Sequence, residues 1–161
     1  MRKSIFKTGL VWLWIAVVVL IIDRYTKMWV LHHLTLFVPH VILPVFNLTL
    51  SYNTGAAFGF LNKTGLWPNV FLGCFAVLVS IVAIIWLYQL NRKEWLPCVA
   101  LSLIIGGALG NALDRALYGF VVDFLSFHIQ EWHFAIFNGA DTAICIGAFL
   151  LVVNWLFTRS H

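Results

Sequence analysis

Four long apolar stretches set the strongest limit on what this 161-residue chain can fold into. About 20 apolar residues in a helix are enough to cross the ~30 Å hydrocarbon core of a bilayer. We predict transmembrane helices at about 8–31, 66–90, 96–116 and 138–157. Only 10% of the residues are charged, whereas soluble proteins carry about 25%. The sequence therefore predicts one integral membrane domain over residues 1–161, an all-α membrane protein built as a bundle of four transmembrane helices.

Two stretches between these helices have a different pattern. In the first, at about 36–61, apolar and polar residues alternate from Phe46 to Asn53, which indicates a half-buried strand. A sheet with open edges cannot lie in lipid, so we expect a small extracytoplasmic β platform on the bilayer surface. Asn53 is either a turn residue or a hydrogen-bond donor to a substrate backbone. The second stretch, at about 117–137, mixes aromatic and polar residues, and we expect an interfacial segment there.

The distribution of charge predicts how the chain is oriented. Four spans place both termini on one side of the membrane, and lysine and arginine are enriched in cytoplasmic loops. Six of these cations fall on the side of the termini and four at the other end. The first group is Arg2, Lys3, Lys7, Arg92, Lys93 and Arg159, and the second is Arg24, Lys27, Lys63 and Arg115. We therefore predict cytoplasmic termini, which places most of the acidic residues toward the outer side.

Three aspartates, Asp114, Asp123 and Asp141, lie in or beside apolar sequence, although the chain has only six acidic residues. A carboxylate at membrane depth is costly and is a functional hypothesis by default. Taken alone, Asp114 could pair with a cation such as Arg115 or Lys27, and Asp141 could cap the fourth helix. Asp123 has no such local explanation, because the two residues on either side of it are apolar. As a set, the three aspartates indicate a functional site.

Polar residues accompany these aspartates on the third and fourth helices. Asn111 precedes Asp114 by three residues and Arg115 by four, so the three side chains can share one helix face. Asn138 is well placed as the N-cap of the fourth helix. We therefore count all of these residues as candidates for supporting the site.

Asp23 and Lys27 lie four residues apart on the first helix, with the acid first, which is the favourable order for an ion pair. One interpretation is a structural pair near the membrane edge, with Lys27 extending to water. The other is a wall of an active site or a contact with a lipid headgroup. The sequence leaves both interpretations open.

Two adjacent carboxylates in a low dielectric share one proton, so one can accept a proton from water while the other donates to a peptide carbonyl. That chemistry hydrolyses an amide without a covalent intermediate. We expect the helix N-terminus to favour negative charge on Asp141 and the apolar surroundings of Asp123 to favour its protonated form. From the residues alone, the partner of Asp141 could be either Asp114 or Asp123.

Other function classes fit the sequence less well. A transporter or proton relay would need polar residues across the whole membrane, whereas here they collect at one end. In a noncatalytic scaffold the acids would be ion-paired and replaceable by asparagine. The histidines have no metal-ligand spacing, the three cysteines form no CxxC motif, and no basic patch is interleaved with loop aromatics. We therefore expect no metal site and no nucleic-acid partner.

Five motifs occur in an order known from one family. They are DRYTK at 23–27, NTGAAFG at 53–59, GGALGNALDR at 106–115, VVDF at 121–124 and FNGAD at 137–141. This set resembles the bacterial lipoprotein signal peptidases, also called type II signal peptidases. The resemblance implies an aspartic endopeptidase of the bacterial inner membrane, without metal or organic cofactor. Such an enzyme removes the signal peptide from diacylglyceryl-modified prolipoproteins and cuts before the lipidated cysteine.

The same resemblance assigns roles to particular residues, and it, rather than spacing, selects Asp123 over Asp114 as the partner of Asp141. It implies that Asp123 and Asp141 form the catalytic dyad near the outer leaflet. The supporting positions that it implies are Asn53, Asn111, Asp114, Arg115, Asn138, Asp23 and Lys27. Gly139 is a mild departure, because family members usually have a larger residue there. The expected partners are prolipoprotein substrates and membrane lipids, and the enzyme is expected to act as a monomer.

Overall fold

The computed structural model describes residues 4–55 and 67–159 of the chain. Within these residues, four helices are long and apolar enough to cross a membrane. They are α1 (Leu13–His33), α2 (Trp67–Gln89), α3 (Trp95–Tyr118) and α4 (Gly139–Arg159). Two short 3-10 turns, Ile5–Lys7 and Gly9–Trp12, lead into α1. The first residue of the predicted second span, residue 66, lies outside the described residues.

A small antiparallel sheet forms the second part of the fold. Its strands are β1 (His40–Leu43), β2 (Phe46–Asn53), β3 (Val121–Ile129) and β4 (Trp132–His133), and they lie side by side in chain order. The predicted architecture, a helical membrane protein with a small β platform, is thereby confirmed. Residues 56–61 of the predicted β region lie outside the part of the chain that the structure describes.

The stretch at 117–137, expected to be an interfacial segment, has a secondary structure that we did not predict. Helix α3 continues to Tyr118, and the chain then forms β3, which pairs with β2 along most of its length, and the short β4. Residues 121–124 at the start of β3 are all buried. A strand that is buried on both faces lacks the alternation of polar and apolar residues that reveals a half-buried strand. The sequence of β3 therefore lacks the alternation that predicted β2.

Helix α3 is the centre of the bundle. Two thirds (67%) of its most apolar window is buried, against 17% for each of the other three helices. Its glycines allow close packing: a Cβ at Gly106 would lie 2.7 Å from Cβ of Val19 on α1. A Cβ at Gly110 would lie 2.6 Å from Oδ2 of Asp23. Small residues thus let the helices approach closely, as is common where helices associate in membranes.

An apolar cluster connects the sheet to the helices. Val30 near the end of α1 packs with Leu50 of β2 and with Val122 and Phe124 of β3, and all four side chains are buried. Gly119 ends α3 with a φ of 76°, a conformation that glycine adopts without strain, and the chain turns there into β3. The sheet therefore sits over one end of the bundle, which we call the sheet end.

We predict that Gly110→Ala lowers the free energy of unfolding by about 1–3 kcal/mol, the usual cost of overpacking. The new methyl group would meet the carboxylate of Asp23, which is buried and held in place. Reversible unfolding in mixed detergent micelles measures the change.

Gly139→Ala is the matched control, because a Cβ at Gly139 meets nothing within 4 Å. We expect that variant to be neutral or slightly stabilised, since alanine favours a helix more than glycine does. Equal losses in the two variants would contradict the packing role of Gly110.

Candidate active site

Polar side chains from α1, α3, α4 and the sheet meet at the sheet end of the bundle. Two of them are aspartates on different elements. Asp123 lies on β3 and is only 2% exposed, and Asp141 lies in the first turn of α4. The structure thus brings together two carboxylates that are separated by 18 positions in the sequence and that come from a strand and a helix.

Both carboxylate oxygens of Asp123 accept a hydrogen bond from an asparagine. Nδ2 of Asn53 donates to Oδ2 at 3.0 Å, and Nδ2 of Asn138 donates to Oδ1 at 2.7 Å. The backbone N–H of Gly55 donates to Oδ1 of Asn53, which turns the amide nitrogen of Asn53 toward the aspartate. Asp123 is therefore held from the platform on one side and from the start of α4 on the other.

Asp141 is held by the N-terminal turn of its own helix and by α3. Its Oδ2 accepts the backbone N–H of Asn138 at 3.1 Å, and its own backbone N–H donates to Oδ1 of Asn138 at 3.0 Å. This reciprocal pair has the geometry of a capping box. Nδ2 of Asn111 donates to Oδ1 of Asp141 at 2.7 Å. Asn138, which is fully buried, therefore contacts both aspartates.

The environment of Asp123 favours its protonated form. The pKa of Asp123 is raised to about 6, mainly by burial and also by the negative charge of Asp141, while the hydrogen bonds from Asn53 and Asn138 act in the opposite direction. A carboxyl group with this pKa can hold a proton and release it near neutral pH. Such a perturbed group in a buried polar cluster is typical of catalytic sites.

Behind the two aspartates lies a buried ion-pair cluster centred on Lys27. Its Nζ is 2.8 Å from Oδ2 of Asp23 and 2.9 Å from Oδ2 of Asp114, and it donates to Oδ1 of Asn111 at 3.0 Å. Lys27 is fully buried. The interpretation in which this side chain extends to water is therefore wrong, because its three protein partners hold it inside the bundle.

The two acids of this cluster also bind the backbone on either side of the site. Oδ2 of Asp114 accepts the N–H of Val122 at 3.1 Å, and Oδ1 of Asp23 accepts the N–H of Ala140 at 3.2 Å. Val122 directly precedes Asp123, and Ala140 directly precedes Asp141. Each buried acid therefore fixes the residue next to one of the two aspartates.

Arg24 belongs to this cluster and was not among the predicted site residues. Its Nη1 is 2.7 Å from Oδ1 of Asp114, and its guanidinium lies over the ring of Tyr118. Asp114 thus pairs with Arg24 and Lys27 and not with Arg115, and both of its oxygens are engaged away from Asp141. Arg24 was missed because, beside the Asp23–Lys27 motif, it was counted only as a loop cation. Its side chain is 25% exposed, but its guanidinium reaches the fully buried carboxylate of Asp114.

Arg115 is partly buried on the side of α3 that faces α2. Its Nη1 donates to the backbone oxygen of Asn111 at 3.3 Å, and its buried Nε has no hydrogen-bond partner in the described part of the chain. It lines a cavity of about 400 Å³ between α2 and α3 together with Asn69. The Nε of Arg115 is therefore available to a ligand in this cavity. Within residues 4–55 and 67–159, no group of three or more His, Cys, Asp or Glu side chains could hold a metal ion.

The fold is shared with solved structures of bacterial membrane enzymes. One, described as a bacterial membrane enzyme structure by the in meso method at 1.9 Å resolution, matches with a TM-score of 0.82 and 32% sequence identity over 97% of each chain. Another, at 2.3 Å resolution, gives a TM-score of 0.81 and 32% identity over 93% of this chain and 90% of the other. The fold and the buried aspartates thus define a helical membrane enzyme with a small β platform.

Sequence comparisons identify the family within that class. The family model described as signal peptidase (SPase) II matches residues 15–157. The lipoprotein signal peptidase of Coxiella burnetii (strain RSA 331 / Henzerling II) is 50% identical over 149 residues, which is 92% of this chain and 91% of the relative. That of Photorhabdus laumondii is 47% identical over 154 residues, 96% and 92% of the two chains. The chain belongs to the signal peptidase II family, a family of peptidase hydrolases.

We predict that Lys27→Met lowers the free energy of unfolding by about 3–5 kcal/mol, the usual cost of leaving a buried charge without its partner. The substitution leaves the carboxylate of Asp23 without its cation, and Asp114 retains only Arg24. Unfolding in mixed micelles measures the change.

Lys7→Met is the control, because Lys7 is exposed and such surface changes usually stay within about 0.5 kcal/mol. If both lysine variants unfold at the same detergent composition as the parent, the cluster does not stabilise the bundle.

Proposed function

We propose that this chain is an aspartic endopeptidase that removes the signal peptide from diacylglyceryl-modified prolipoproteins, cutting before the lipidated cysteine. The observation that carries the proposal is the pair Asp123 and Asp141, connected by the side chain and backbone of Asn138. The names of the relatives support the substrate class, since both are lipoprotein signal peptidases. The motifs quoted above support the cleavage position.

The chemistry follows from the different surroundings of the two carboxyl groups. Asp141, at the N-terminus of α4, is ionised and takes a proton from a water molecule as the water oxygen attacks the scissile carbonyl carbon. Asp123, whose pKa is raised to about 6, gives its proton to the carbonyl oxygen. When the tetrahedral intermediate collapses, the C–N bond breaks. Asp123 recovers a proton from the intermediate's hydroxyl group, and Asp141 passes its proton to the leaving nitrogen.

The surrounding residues take supporting roles in this proposal. Asn53, Asn111 and Asn138 hold the aspartates in position, and the free Nε of Arg115 binds a substrate carbonyl. The cluster of Asp23, Lys27 and Asp114 is structural. No metal or organic cofactor takes part in the steps, because the two carboxyl groups supply both the acid and the base.

The position of the site suits a lipid-anchored substrate. The acyl chains of such a substrate lie in one leaflet, so its scissile bond lies near the membrane boundary. We place the sheet end at the outer leaflet of the bacterial inner membrane and both termini in the cytoplasm, in accordance with the charge distribution. We treat residues 1–161 as a single domain that acts as a monomer and contacts membrane lipids along its helices. At the outer leaflet, the scissile bond of the substrate reaches the aspartates with little movement along the membrane normal.

The first prediction from this proposal concerns the aspartates themselves. Asp123→Asn and Asp141→Asn, made separately, should each lower turnover of a diacylglyceryl peptide at least about 10³-fold, and the double variant should be little worse than either. Each asparagine keeps the shape of the side chain but removes the titrating proton. Single-turnover cleavage by the purified enzyme measures the effect, with the unlipidated twin peptide as the substrate control.

Glu131→Gln is the control variant, because it removes an exposed carboxylate in the turn between β3 and β4. It should keep the activity of the parent. A folded Asp123→Asn or Asp141→Asn variant that still cleaves at the parent rate would refute the proposal.

The second prediction concerns pH. If Asp123 must be protonated, kcat/KM should fall as pH rises through the pKa of Asp123, which is raised to about 6. The hydrogen bond from Asn53 favours the charged form of Asp123, so Asn53→Ala should raise that pKa and move the alkaline limb upward by about one unit. The pH profile of kcat/KM measures the shift.

Asn47→Ala tests whether this shift is specific. Asn47 lies on the same strand, where it pairs with Ser126 and not with Asp123. Its pH profile should match that of the parent. An alkaline limb that moves downward or stays fixed in Asn53→Ala would show that Asp123 is not the group that titrates.

A further inference from the structure

A second cavity lies at the opposite end of the bundle, away from the aspartates. Its volume is about 410 Å³, and it lies between the start of α1 and the turn that joins α2 to α3. Its lining consists of two cations, two tryptophans and a valine: Arg92, Lys93, Trp12, Trp14 and Val11. None of these side chains belongs to the candidate active site.

The N-terminal segment and the α2–α3 turn hold each other in position around this cavity. The backbone N–H of Gly9 donates to the oxygen of Leu90 at 3.0 Å, and that of Arg92 donates to the oxygen of Lys7 at 3.2 Å. Nε1 of Trp12 donates to the backbone oxygen of Arg92 at 3.0 Å. These hydrogen bonds fix the backbone of the cavity wall, from which the side chains of Arg92 and Lys93 extend.

Neither Arg92 nor Lys93 forms an ion pair with a carboxylate in the part of the chain that the structure describes. The ion pairs formed by Lys27 and Asp114 lie at the other end of the bundle, the sheet end. Glu94 is close in sequence, but its Oε2 accepts the backbone N–H of Asn91 at 2.6 Å. Arg92 and Lys93 are exposed, so their charge is available to an anion.

The rim of the cavity is apolar and continues the lipid-facing surface of α1. Trp14 is 59% exposed and Val11 is 36% exposed. Tryptophan is enriched at the boundary between hydrocarbon and headgroups, where its ring is apolar and its N–H is polar. An anion that binds Arg92 and Lys93 beside this rim is therefore favoured if it carries acyl chains, which can contact the apolar side chains.

We propose that this cavity binds the headgroup of an anionic phospholipid, with Arg92 and Lys93 on the phosphate and Trp14 against the glycerol and the first acyl carbons. Arginine and lysine are the side chains that bind phosphate best, and basic pockets at the cytoplasmic side of transmembrane helices bind anionic headgroups. The apolar rim favours a lipid over a soluble phosphate. The site is independent of peptide cleavage.

Native mass spectrometry of the purified full chain tests the proposal with two lipids of identical acyl chains, dioleoylphosphatidylglycerol and dioleoylphosphatidylcholine. We expect the parent to retain the anionic lipid preferentially. Arg92→Gln and Lys93→Gln should each weaken that binding about fivefold. Lys7→Gln removes the same charge at the same end without lining the cavity, and it should change binding less than twofold.

Trp14→Leu and Trp86→Leu form a second matched pair, because both tryptophans are exposed on transmembrane helices but only Trp14 lines the cavity. Only Trp14→Leu should weaken lipid binding. Before lipid binding is measured, each variant is shown to unfold at the same temperature as the parent in lipid-free detergent. If Arg92→Gln is unstable, Lys93→Gln replaces it in the comparison with Lys7→Gln. Equal effects of Lys7→Gln and Arg92→Gln would overturn the proposal. So would equal retention of both lipids by the parent, or displacement of the lipid by millimolar glycerol 3-phosphate.

Discussion

The structure depends on a buried ammonium group, that of Lys27, held between the carboxylates of Asp23 and Asp114. A charge buried in a low dielectric is tolerated only when it is paired and its hydrogen bonds are satisfied. With Arg24 on the far side of Asp114, two cations face two carboxylates, and the cluster is close to neutral. Its remaining acceptor capacity binds backbone N–H groups of β3 and α4. The charge cluster is thus connected directly to the start of the strand and of the helix that carry the site.

Close packing of the helices makes this pairing possible. Asp23 reaches the first turn of α4 by passing over Gly110 of α3, where any side chain would occupy the space of its carboxylate. Gly106 brings α1 equally close one turn earlier. The glycines of α3 allow the helices to pack closely, and in this bundle they also admit a charged side chain between helices. Apolar packing and the polar network are therefore parts of one arrangement at the sheet end.

Much of this fold follows from sequence patterns, and the parts that do not follow have physical reasons. The four spans and strand β2 were predicted because length and alternation are local signals. Strand β3 was not, since burial on both faces removes the alternation. The network was only partly predictable: helical spacing pairs Asp23 with Lys27. Helical spacing cannot show that Arg24 reaches the carboxylate of Asp114, which is 90 positions away in the sequence. Nor does spacing alone choose between Asp114 and Asp123.

The two proposed catalytic aspartates differ because they come from different kinds of element. A helix N-terminus presents unpaired N–H groups and favours a negative charge, and Asp141 occupies that position. A strand end has no such dipole, and Asp123 is enclosed by buried apolar neighbours of β3, which favour the neutral acid. Asn138 connects the two groups without removing this difference, since it donates one N–H to each carboxylate. A pair built from two helix N-termini would lack the asymmetry, and with it a definite acid and a definite base.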